Sequence, residues 1–267
     1  MNRMEMAISL MSKKFFFLFI FILMTCIAGL TPAAFAAIPL ITDDTGTQGK
    51  GKFQFEVLGE YDHDKEDGIK GETQGITASL TYGILDPVDI VLSVPYVFWR
   101  DKESGCTEKE DGLADLAIEA KWRFFEKKGF SFALKPGVTL PTGDEDKGLG
   151  TGRANGYLFL IASKEADPWA FHLNLAYIRN ENKYDERRDL WHVSLASSYE
   201  IFKPLKLVGD IGMEKNPDRC SSIDPAYLLG GFIYSPLENL DFGLGIKGGL
   251  TETESDLAVR GGITWRF

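Results

Sequence analysis

His192, Val193 and Ser194 put an imidazole and a hydroxyl two residues apart, and Asn174 lies a short distance upstream. On an extended strand, residues i and i+2 share a face. His192 could then act as base toward the Ser194 hydroxyl, with Asn174 on the hairpin neighbour as the orienting group. A second set of residues is electrostatic. Glu56, Glu60, Asp115, Glu119, Asp210, Glu214 and Asp241 recur at alternate positions of apolar stretches, as do Lys121, Arg123, Lys135, Lys206, Lys247, Arg260 and Arg266, with His172 and Asn174 placed the same way. Charges on one face of an otherwise apolar strand need water on that side. Walls of both signs can create a transverse field that sorts solutes, or they can close on each other as salt bridges. Asp144, Glu145 and Asp146 in PTGDEDKGLGTG are oxygen donors of the kind that Ca²⁺ takes, without the spacing of an EF-hand. HEXXH, CxxC, GxSxG and P-loop motifs are absent, and no cofactor or metal is implied.

The elements that must position these residues are strands. Period-two alternation recurs in twelve stretches: 51–62, 75–84, 88–99, 113–125, 130–140, 153–163, 169–178, 191–200, 205–214, 226–235, 241–250 and 257–267. In WAFHLNLAYI (169–178), Trp169, Phe171, Leu173, Leu175 and Tyr177 stand on one face, with His172 and Asn174 on the other. In LADLAIEAKWRFF (113–125), Leu116, Ile118, Ala120, Trp122 and Phe124 oppose Asp115, Glu119, Lys121 and Arg123. Short connections (83–87, 126–129, 164–168, 201–204, 235–239) take turns with long charged ones (62–72, 100–112, 141–152, 179–189, 214–225, 251–256).

An even number of strands with short turns at one rim and long loops at the other is the layout of a transmembrane β-barrel. A soluble sandwich or lipocalin-like barrel also alternates, but it turns its apolar face inward. Here aromatic residues bracket the aliphatic strip near the strand ends (Tyr61, Tyr82, Trp122, Trp169, Tyr177, Trp191, Tyr199, Trp265), as interfacial girdles require. The expected fold is therefore all-β, a transmembrane antiparallel barrel of about twelve strands with short periplasmic turns and longer extracellular loops. Closure leaves no unpaired edge in lipid. The same parity turns Glu56, Glu60, Asp115, Glu119, Lys121, Arg123, Lys135, His172, Asn174, His192, Ser194, Lys206, Asp210, Lys247, Arg260 and Arg266 toward the lumen.

Residues 1–36 read as a secretory signal peptide: Lys13 and Lys14 precede an apolar run from Phe15 to about Leu30, and Ala34-Phe35-Ala36 supplies the small-residue cleavage site. Cleavage there removes three basic residues and Glu5, so the formal charge of −10 becomes −12. So acidic a chain has no electrostatic case for nucleic acid. Two cysteines remain, Cys106 and Cys220, both in long loops, and in an exported chain they are a candidate disulfide. The expected organisation is signal peptide 1–36, a periplasmic N-terminal segment 37–50, and the barrel 51–267, in the outer membrane of a Gram-negative bacterium.

Two resemblances bear on function. PLITDDTGTQGKGKFQFE (39–56) and GLADLAIEAKWRFFEKKGFSFALKPGVTLPTGDEDKGLGTG (112–152) resemble the outer-membrane family of transporters of the meta-pathway of phenol degradation. That resemblance implies an outer-membrane barrel and assigns neither substrate nor functional residues. His192, Ser194 and Asn174 resemble the arrangement in the twelve-stranded outer-membrane phospholipase, yet parity turns Ser194 into the lumen while Trp191, Val193 and Leu195 face lipid, where such an enzyme needs its nucleophile. The expected function is a channel for passive uptake of small molecules, hydrophobic or aromatic ones among them. A plugged structural barrel and a phospholipase-like hydrolase are the alternatives. The expected partners are outer-membrane lipid, lipopolysaccharide bridged to the acidic loops by divalent cations, the barrel assembly machinery that resemblance to outer-membrane proteins implies, and the small-molecule solute.

Overall fold

The computed structural model describes residues 38–267 apart from 67–68 and 104–105. The expected signal peptide lies outside the described residues. Thirteen strand segments are described: β1 Phe53–Glu66, β2 Ile69–Leu85, β3 Val88–Glu103, β4 Cys106–Leu113, β5 Leu116–Lys127, β6 Phe130–Leu140, β7 Asn155–Ala166, β8 Trp169–Arg179, β9 Asp189–Phe202, β10 Leu205–Glu214, β11 Ala226–Leu237, β12 Leu240–Gly249 and β13 Leu257–Arg266. Neighbours pair antiparallel all the way round. The ring closes where β1 meets β13, in register from Gln54 opposite Arg266 to His63 opposite Leu257.

Twelve wall positions result, because β4 and β5 share one. β3 pairs with β5 through Val88 to Ser93 and with β4 through Tyr96 to Glu103. The interruption falls at Ala114 and Asp115, where the Ala114 N–H donates to the Pro95 carbonyl at 3.0 Å. The Asp115 carboxylate there accepts the N–H groups of Gly143 and Thr151, fastening the 141–154 connection to the wall.

Alternation fixes which side meets lipid. In β8, Leu173 is 38% exposed, while its neighbours His172 and Asn174 are 4% and 1% exposed. Ile76, Leu80, Leu92, Ile118, Leu195, Ile211, Leu244 and Ile263 are likewise exposed, which is the inverse of a soluble barrel and the pattern of a lipid-facing belt. Trp169 packs on Tyr199 near the short-turn rim, with ring centroids 4.8 Å apart. Tyr177 and Trp191 stand opposite each other toward the other rim.

Three expectations need correction. The stretches 62–72 and 100–112 are largely ladder rather than loop: β1 stays paired with β2 as far as Glu66 and Ile69, and β3 with β4 as far as Glu103 and Cys106. Their alternating charges suit a two-stranded ribbon wet on both faces. Cys106 and Cys220 are both free and exposed; one opens β4 and the other sits in the 215–225 connection, on hairpins that are not neighbours in the ring. Within the segment expected to be periplasmic, residues 38–48 lie instead inside the barrel, against its lumenal side chains.

Candidate functional site

Those eleven residues form a strap across the lumen, bound through side chains rather than ladder bonds. At its start, the Pro39 carbonyl accepts from the Arg260 guanidinium at 3.0 Å. The Ile38 carbonyl presses on Gly243, where a Cβ would come within 1.7 Å of it. Asp210 then accepts the N–H groups of Ile41 and Thr42, each at 2.8 Å, and the Thr42 hydroxyl at 2.7 Å. Asn174 grips the Asp43 peptide from both sides: its Oδ1 accepts the Asp43 N–H at 2.9 Å and its Nδ2 donates to the Asp43 carbonyl at 2.7 Å. Farther on, Thr45 meets Ser131 and Ser163, and the Gln48 N–H reaches Asp89 at 2.9 Å.

The electrostatic centre is Asp43. Its Oδ1 lies 2.8 Å from Lys121 Nζ and its Oδ2 lies 3.0 Å from Lys135 Nζ. Lys135 also pairs with Glu119 at 3.1 Å, and Glu119 accepts the Tyr157 hydroxyl at 3.0 Å. Among the described residues, Asp44 is the other carboxylate within 4 Å of Lys121, at 3.8 Å. Beside the strap lies a cavity of about 240 Å³, bounded by the strap itself, by Leu58, Val91, Thr77 and Ser93 on the wall, and by the charged side chains of Lys121, Lys135, Glu56, Asp89 and Glu119.

Residues 38–267 match the model of a protein family described as "Putative MetA-pathway of phenol degradation". The chain belongs to this family. No curated protein matches it. Among solved structures, it is similar to an outer membrane channel from Pseudomonas putida F1, with 15% identity, TM-score 0.68, and coverage of 84% of this chain and 98% of that one. It is also similar to the β domain of the Bordetella autotransporter BrkA, with 11% identity, TM-score 0.56, and coverage of 82% and 100%. A KdgM porin in complex with oligogalacturonate gives 10% identity, TM-score 0.50, and coverage of 80% and 99%. At these identities the likeness is one of fold.

In this family member, the residues expected in the lumen sort into several groups. Lys121, Lys135, Asn174, Asp210 and Arg260 meet on the strap. Glu60 gathers Arg260 and Lys247, and Lys247 also pairs with Glu254 at 2.9 Å. Glu56 accepts the Thr264 hydroxyl at 3.0 Å, Arg266 pairs with Asp241 at 2.7 Å, and Arg123 turns to Glu126 at 3.2 Å. His172 bonds to Ser163, Lys206 is half-buried near the short-turn rim, and Asp115 serves the loop. Asn174 stands directly opposite Ser194 in the ladder, as expected, but its amide bonds to the strap; His192 Nε2 lies 3.0 Å from the Ser194 hydroxyl and its Nδ1 lies 3.3 Å from Glu214. Among the acidic loop residues, Asp144 caps the short 3₁₀ turn Glu145–Lys147, and Glu145 pairs with Lys183.

The strap itself was missed by sequence reasoning: Thr42, Asp43 and Asp44 lie in a stretch without period. A signal was present in DFGLGIKGG (241–249), where glycines occupy the inward positions 243 and 245 of an otherwise well-patterned strand. Such glycines mark close approach of another backbone. Here it is that of Ile38 and Pro39.

Proposed function

We propose that the protein is an outer-membrane channel for passive uptake of small molecules, hydrophobic or aromatic ones among them, whose lumen is closed by its own N-terminal strap. The observation that carries this reading is how the strap is attached. Among the described residues, 38–48 join no strand ladder and are held by side chains of an independently closed wall, so the closure can move without opening the barrel. The fold shared with a bacterial outer membrane channel and a porin supports it. In this reading the signal peptide is removed near Ala36, the barrel assembly machinery inserts the chain, and lipopolysaccharide surrounds the long loops.

The test is single-channel conductance of the refolded protein in a planar bilayer under a salt gradient, beside a variant lacking residues 38–48. Brief small steps are expected from the full chain and larger, longer ones from the deletion. Silence from both, in protein verified as folded, would overturn the channel.

The Ser194, His192 and Glu214 relay favours a hydrolase as second reading. Against it, Ser194 is 2% exposed and faces the lumen, and the Asn174 amide is committed to the strap. The expected outcome is that a fluorophosphonate probe leaves Ser194 unlabelled and that Ser194→Ala keeps the wild-type conductance. Labelling that Ser194→Ala removes would decide for the hydrolase.

A further inference from the structure

We infer that Lys121, Lys135 and Asn174 form a recognition site for a small organic carboxylate, and that Asp43 of the strap is its built-in occupant. The inference rests on reading the strap as a displaceable closure. Lys121 carries the argument. Its side chain is only 11% exposed, and among the described residues its carboxylate partners within 4 Å are Asp43 and Asp44, both on the strap. Lys135, 17% exposed, keeps one wall carboxylate, Glu119, when the strap leaves. Two ammonium groups then converge on one vacated position with Glu119, among the described residues, as the one wall carboxylate within 4 Å, while Glu56 and Asp89 line the same cavity beyond ion-pair distance. Two like charges held close together favour a shared counter-ion, so the open lumen calls for an anion there.

The geometry specifies which anion. Each lysine takes a different oxygen of Asp43, at 2.8 and 3.0 Å, so the pair recognises two oxygens held at carboxylate spacing rather than a point charge. Asn174 adds one donor and one acceptor to the atoms beside that carboxylate. The Phe159 ring, its centroid 5.9 Å from Lys135 Nζ, supplies an aromatic surface. Even with the strap in place as one of its walls, the cavity adjoining the two lysines measures about 240 Å³, which exceeds the roughly 150 Å³ that houses a benzene ring in an engineered protein cavity. A six-membered ring bearing one carboxylate therefore fits the class.

Equilibrium dialysis of radiolabelled benzoate against folded, detergent-solubilised protein tests this. Removing an intramolecular competitor, whose effective concentration is in the millimolar range, is expected to tighten binding roughly tenfold or more in the variant lacking 38–48. Asp43→Asn in the full chain is expected to act in the same direction and keeps the test alive if the deletion fails to fold. Lys121→Met or Lys135→Met in the deletion background should abolish binding, and benzyl alcohol, with the same ring and no charge, should not compete. Equal benzoate binding in full-length, deletion and Asp43→Asn proteins, or competition by benzyl alcohol, would overturn the site. Because dialysis needs no ion flow, binding without conductance would count against the channel alone, and conductance without binding against the site alone.

Discussion

Asp210 takes both the backbone N–H of Thr42, at 2.8 Å, and its hydroxyl, at 2.7 Å, across 168 residues of sequence. One wall carboxylate thereby anchors the strap at the point where it enters the middle of the barrel, and it takes the Ile41 N–H as well. Hydrogen bonds to a charged group contribute about 1.5–3 kcal/mol each. Asp210→Ala is therefore expected to leave the barrel folded and to speed amide exchange at Ile41 and Thr42 by at least roughly tenfold. Hydrogen exchange read by mass spectrometry on the 38–48 peptide checks this. Unchanged exchange would mean that the strap is held elsewhere.

Gly243 and Gly230 make a matched pair. A methyl at 243 would sit 1.7 Å from the Ile38 carbonyl oxygen, whereas one at 230 meets nothing within 4 Å. Gly243→Ala should displace the start of the strap and raise conductance in the direction of the 38–48 deletion, while Gly230→Ala should match wild type. Equal behaviour of the two variants would remove the strap from any role in closure.

The barrel was legible in the sequence because its rule is local. Trp169, Phe171 and Leu173 against His172 and Asn174 announce a strand with one face in lipid, and each hairpin repeats the statement. Lys121 and Lys135 were legible as lumenal for the same reason. What occupies the lumen was not, because Thr42 finds Asp210 and Asp43 finds Lys121 only after the wall has closed, and nothing in ITDDTGTQ carries a period that would place it. The break at Asp115 was hidden in a similar way: its charge reads as lumenal, but its partners Gly143 and Thr151 belong to a loop whose inward fold has no local signature. The closeness of Glu214 to His192 depends on the register of β9 against β10, in which the two stand directly opposite.

The two free cysteines report orientation. Cys106 and Cys220 are exposed and lie on the long-loop side, in hairpins separated around the ring. A membrane-impermeant maleimide applied to intact cells should label both thiols, and breaching the outer membrane should add nothing. Labelling only after the membrane is breached would place the long loops in the periplasm and invert the barrel.

The connection between β10 and β11 has an acid-sensitive fastening. Asp224 accepts from Lys215 Nζ at 2.8 Å and from the Asn216 N–H at 3.1 Å, and the Lys215 ammonium, followed by that backbone N–H, holds its carboxyl below the ordinary 3.8. A carboxylate whose pKa is lowered by folding stabilises the folded loop above its unfolded value. That contribution fades as pH falls through the lower folded one. The same loop is also gathered by Arg187, which donates to the carbonyl groups of Asn216, Arg219 and Ser221 and has no proton to gain in this range. Acid should therefore loosen the Asp224 end and leave the Arg187 end in place. In detergent micelles, the Asn216 amide resonance is expected to titrate with a midpoint below 3.8, and Asp224→Asn should abolish that titration without changing the resonances around Arg187. A midpoint at or above 3.8, or the same titration in Asp224→Asn, would show that the Lys215 pair does not fasten the loop.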